Sequence, residues 1–114
     1  MPAFQVRSLQ RDKKTDRERI NSIVGAVDAA IASAEKEKSL LTLRVENARD
    51  LAAFATGNDS DEYLSREPED TKRIADYEQQ LIAGYERIGQ LDAQIAGLKA
   101  VGEVCGSRFP DHGA

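Results

Sequence analysis

The chain has 114 residues, of which 32% are charged and 5% aromatic, with no tryptophan. That is enough for one domain, and it suits long, surface-rich helices better than a compact globule. A net charge of −4 speaks against a dedicated nucleic-acid binder, which normally carries a basic balance. The charge is unevenly spread. Residues 1–19 carry the basic side chains Arg7, Arg11, Lys13, Lys14, Arg17 and Arg19, while residues 57–70 carry six acidic side chains against one basic.

Met1 to Gln10 lacks the apolar core of a signal peptide, and no stretch approaches the ~20 apolar residues of a membrane span. Cys105, the single cysteine, can form neither an internal disulfide nor a thiolate cluster, which fits a reducing compartment. The expected location is the cytoplasm, with no membrane partner.

Residues 1–14 read as a polar basic arm, in which Phe4, Val6 and Leu9 follow no sustained period. Thr15-Asp16-Arg17-Glu18 then fits a capping box. The Thr15 hydroxyl would accept an early helical amide while Glu18 reaches back to the Thr15 amide. Nothing between Ser8 and Thr15 breaks a helix, so an earlier start near Ser8 is also compatible.

The spacing predicts a helix over 15–56. Its seam is Ile20, Val24, Val27, Ile31, Ala34, Lys38, Leu41, Val45, Ala48, Ala52 and Ala55, in alternating steps of four and three, with Lys38 the one polar interruption. Gly57 and Asn58 tolerate the left-handed conformation just past a helix end, so they are expected to stop it. A turn over 57–67 follows. Pro68 suits a first helical position, and Glu67, Glu69 and Asp70 suit the positive end of the helix it opens.

The second helix, 68–105, repeats the pattern with Ile74, Tyr77, Leu81, Gly84, Ile88, Leu91, Ile95, Leu98 and Gly102. Gly106 is expected to end it, leaving 106–114 as a loose tail. The fold class is therefore all-α: a long antiparallel, coiled-coil-like helical hairpin over 15–105. Measured out from the turn, Ala52 faces Ile74, Ala48 faces Tyr77, Val45 faces Leu81 and Leu41 faces Gly84. Further along, Lys38 faces Ile88, Ala34 faces Leu91, Ile31 faces Ile95 and Val27 faces Leu98. Small residues oppose large ones at several of these layers, as interdigitation requires.

One hairpin does not use all the apolar surface. Leu40, Leu43, Leu51 and Phe54, with Asn47 among them, form a second stripe roughly 120° round from the seam. Ile82 and Tyr85 widen the second helix on the opposite face of the hairpin. A helix apolar on two sides wants two neighbours. These six side chains are the expected oligomer or partner interface, and a homodimer closing into a four-helix bundle is the simplest form.

Catalytic equipment is sparse, and no catalytic residue, cofactor or metal site is expected. The only histidine, His112, sits beside Asp111 in the tail, and Cys105 lies at the negative end of a helix dipole, which disfavours thiolate. Asp59 and Asp61 have the first spacings of a calcium loop. Tyr63 takes the next ligand place, however, and Leu64 the place that needs glycine. The acids of the turn are explained by capping the second helix; beyond that they offer hard oxygens for a loose Mg²⁺ contact without a cage.

An antiparallel coiled coil with acids at its tip resembles the amino-terminal half of the bacterial transcript-cleavage factors of RNA polymerase. Their tip reads Gly-Asp-x-x-Glu-Asn-x-Glu-Tyr. Gly57, Asp61, Glu62 and Tyr63 align with it across a two-residue deletion, and Asn58 stands in place of the first acid. The resemblance implies a regulator that inserts Asp59, Asp61 and Glu62 into a larger machine. The reading favoured by the residues themselves is a non-enzymatic structural or adaptor protein, working through helix association with itself or with a partner protein.

Overall fold

The computed structural model describes residues 8–59 and 68–110. These form two α-helices, α1 (Leu9–Asp59) and α2 (Pro68–Arg108), with no strand among the described residues. The protein is an all-α helical hairpin.

α2 opens at Pro68 as expected, and α1 takes the earlier start near Ser8, while both helices run a few residues past their expected ends. α1 starts at Leu9, and its N-cap is Ser8, whose Oγ accepts the Arg11 amide at 3.2 Å while its carbonyl accepts that of Asp12 at 3.1 Å. The box at Thr15 is not used. Thr15 lies inside α1, because residues 9–14 are compatible with helix and Ser8 is an equally good cap. Glu18 instead approaches Lys14, at 3.8 Å, and Asp16 pairs with Arg19 at 3.2 Å, both ordinary neighbours on a helix surface.

At the other end α1 passes through Gly57 and Asn58 to Asp59, and α2 passes through Gly106 to Arg108. None of the described glycines has a positive φ. Glycine in a helix costs about 1 kcal/mol relative to alanine but does not forbid it. In α2 the last turn closes with the Phe109 amide donating to the Cys105 carbonyl at 2.9 Å. Pro110 is the residue that cannot continue, since it lacks an amide proton and disfavours helix at Phe109.

The described residues divide into two compact units, one lying within 34–94 and the other combining 8–33 with 95–110. In the 34–94 unit the buried apolar residues are Ala34, Val45, Ala48, Ile74 and Leu91, with Leu91 wholly excluded from solvent. Lys38, Leu41, Ala52, Ala55, Tyr77, Leu81 and Ile88 are half-buried. In the other unit Val27 and Ile95 are buried, and Ile20, Val24, Ile31, Leu98 and Gly102 are half-buried. Every expected seam position is thus at least partly withdrawn from water.

The layers are offset from direct opposition. Leu41 was expected across from Gly84, but a Cβ placed on Gly84 would overlap Cγ2 of Val45, so Val45 makes the close approach. Leu41 borders the same groove. Likewise Val27, expected across from Leu98, borders a groove with it and also reaches Gly102, where an added Cβ would lie 3.7 Å from its Cγ1. The reason is knobs-into-holes geometry: a seam side chain enters the gap between residues one turn apart on the facing helix.

Glycine is therefore required at position 84. Val45 is β-branched and stiff in a helix, so it cannot swing away from a new methyl group. Gly84→Ala is expected to lower stability, with overpacking of ~1–3 kcal/mol outweighing the helix-propensity gain. Gly89, with nothing within 4 Å of an added Cβ, is the control. Gly89→Ala is expected to raise stability by up to about 1 kcal/mol. Thermal melts followed by circular dichroism read both.

Candidate interaction surface

Two ion pairs in the 34–94 unit fix how α1 is rotated against α2. The Arg87 guanidinium grips Glu37 with two hydrogen bonds, Nε to Oε2 at 2.8 Å and NH2 to Oε1 at 3.1 Å, and its NH1 donates to Gln90 Oε1 at 3.1 Å. The Lys38 ammonium pairs with the Asp92 carboxylate. Lys38 had been expected to face Ile88. Its long stem instead carries the charge past the seam to an acid, as amphipathic side chains do. Glu37 and Lys38 are consecutive and leave the helix about 100° apart, so the two pairs flank the seam on its two sides. The Lys38 carbonyl also accepts a hydrogen bond from Thr42 Oγ1 at 2.8 Å.

Both pairs are about half exposed, so each contributes little strength and acts mainly as a register device. With α1 held this way, the second stripe points to water. Leu40 is 53% exposed, Leu43 63%, Leu51 41% and Phe54 68%. Ile82 and Tyr85 on α2 are exposed to a similar degree. Asn47, in the middle of the α1 stripe, is exposed as well. No interior side chain of the hairpin is polar or charged among the described residues.

The 34–94 unit also has a shallow groove bordered by Leu41, Arg44, Val45 and Ala48 of α1 and by Gln80, Ala83 and Gly84 of α2. In the other unit a flat apolar depression is bordered by Ser22, Ile23, Ala26, Val27, Ala30 and Leu98. Ile23 is exposed there. This depression was missed in the sequence, although the run of small residues Ser22, Ala26 and Ala30 at helical spacing was the signal for it.

The remaining expected positions carry less. Asp59 is the last residue of α1, while Asp61 and Glu62 lie outside the described residues, as does His112. Cys105 is half-buried and unbridged. Among the described residues no three His, Cys, Asp or Glu side chains gather as a metal site would require, and no helix is long and apolar enough to cross a membrane. Comparison with protein-family models, with curated proteins and with solved structures found no match.

The Glu37–Arg87 contact sets a pH dependence. Hydrogen bonds from Arg87, with its positive charge adding to them, hold the Glu37 carboxyl below the usual carboxylate range, and partial desolvation opposes this only in part. The same contact raises the guanidinium further. A carboxyl depressed in the folded state contributes stability that is complete above its unfolded pKa, about 4.3, and is lost as pH falls through the lower folded value. Glu37→Gln is therefore expected to flatten the fall in stability below about pH 4, in denaturant titrations run across that range.

Proposed function

We propose that this protein is a non-enzymatic structural or adaptor module that works by helix association, with its own copy as the first partner. The observation that carries this reading is the α1 stripe. Leu40, Leu43, Leu51 and Phe54 stand exposed on the one helix, on a face that α2 does not serve. Scattered surface leucines need no explanation, but four large apolar side chains aligned at helical period around one asparagine mark a contact surface. Two helices alone also make a thin core for a chain of this length.

The chemistry of the side chains supports the same reading. One histidine and one cysteine, placed close together in the chain's last ten residues, offer a poor basis for a base–nucleophile pair held on a rigid scaffold. The simplest closed assembly is a dimer of hairpins, four helices in all, since two-fold closure is the commonest oligomeric solution.

The double substitution Leu43→Asp, Phe54→Asp places two carboxylates on the stripe without touching the seam. It is expected to halve the mass measured by light scattering while leaving the helical circular dichroism signal in place. An unchanged assembly mass would move the association surface elsewhere.

A further inference from the structure

We infer that the α1 stripe is self-complementary and seats a second copy of this chain antiparallel to it, with the two-fold axis at Asn47. The inference rests on the association reading above and gives it a geometry. Leu40, Leu43, Asn47, Leu51 and Phe54 are separated by three, four, four and three residues. That series reads the same from either end. Turn the helix end for end about Asn47, and Leu40 comes opposite Phe54 of the second copy, Leu43 opposite Leu51, and Asn47 opposite its own counterpart. An isologous contact requires this: the same patch on both partners must complement itself. The central steps of four, Leu43 to Asn47 to Leu51, also make a ridge of the kind that packs into the matching grooves of another helix.

Asn47 fits the axis chemically. Its amide carries both donors and an acceptor, so two copies facing each other can satisfy one another. A single asparagine in an apolar helix contact is also a known means of fixing register.

Charge favours the antiparallel sense. Lys36, one turn before Leu40 on the same face, comes opposite the carboxyl end of the second copy's α1. That end carries the negative pole of the helix dipole and has no basic residue in its last turn. A parallel pair would instead set Lys36 against Lys36. The antiparallel pair also has opposing terms, since Glu46, one residue from the axis, approaches both Glu46 and Asp50 of the second copy. Both are exposed, so solvent screens that repulsion. In this arrangement each α1 lies between its own α2 and the other α1. Ile82 and Tyr85, on the opposite face, take no part.

The test is cysteine cross-linking of the full chain in a Cys105→Ser background, with mass measured by light scattering under reducing conditions. The four apolar positions and Asn47 are exposed in the single chain, and circular dichroism confirms that each variant folds. Dimer mass is expected, with Asn47→Cys oxidising to a covalent dimer. A mixture of Leu43→Cys with Leu51→Cys is expected to cross-link, and Leu43→Cys alone is not. In the antiparallel pair two copies of position 43 stand about 12 Å apart along the axis, beyond the reach of a disulfide.

Self-cross-linking of Leu43→Cys would mean a parallel pair and overturn the inference while leaving the association reading intact. A dimer in which none of these positions cross-links would overturn the inference and place the contact on another face. A monomer at every concentration would overturn both.

Discussion

α1 is apolar along two stripes, and the hairpin gives it one neighbour. The first stripe is spent on α2. Every seam position from Ile20 to Ala55 is at least half withdrawn from water, and Leu91 of the facing seam is completely so. The second stripe remains in solvent, where none of the roughly 25 cal/mol per Å² of apolar burial is recovered. In a two-helix domain that unrealised term is large relative to a net stability that is small for any protein. Whatever covers the stripe also stabilises the fold, because a partner that binds only the native state shifts the folding equilibrium by mass action. Association and stability are then one property measured in two ways.

The seam is built from unequal layers, and the ion pairs keep those layers in step. Gly84 leaves room that Val45 fills, and that closeness is possible only because no Cβ is present. Such packing has several near-equivalent registers, since sliding one helix by a turn exchanges one apolar contact for another. Glu37–Arg87 and Lys38–Asp92 are too exposed to supply much energy, but a slide would break both. Their value is in separating the correct register from its neighbours, and in turning the outer stripe consistently away from α2.

The periodicity made the hairpin legible, because a three–four repeat is a direct statement of which side of a helix is apolar. The same arithmetic exposed the outer stripe of Leu40, Leu43, Leu51 and Phe54. What it missed was local. Thr15-Asp16-Arg17-Glu18 is a good box, but a cap acts only where a helix has to start, and Ser8 stands earlier. Gly57 and Gly106 were read as terminators, yet glycine ends a helix by adopting positive φ, and sequence cannot say whether it does. Leu41 borders the groove at Gly84, but Val45, one turn on, makes the close approach. Opposing residues face each other one to one in a list, whereas real side chains enter the gaps between residues. The acids of the tip drew attention through composition, the first spacings of a calcium loop and a short motif, all weaker signals than period.

Asn47 is the residue that makes the outer stripe more than grease. A leucine in its place would give α1 a continuous apolar face, able to stick to any other such face in any register and in either direction. With asparagine there, a partner must present a polar group at one position only. If a second helix slides by a turn, Asn47 falls against Leu43 or Leu51, and its amide is buried without a partner at a cost of about 1–3 kcal/mol. That penalty is comparable to burying one leucine side chain, so it is enough to reject the slipped registers without preventing the correct one. A foreign partner would have to supply its own polar group at that point by coincidence of sequence. In the proposed antiparallel pair, the second copy supplies one by symmetry.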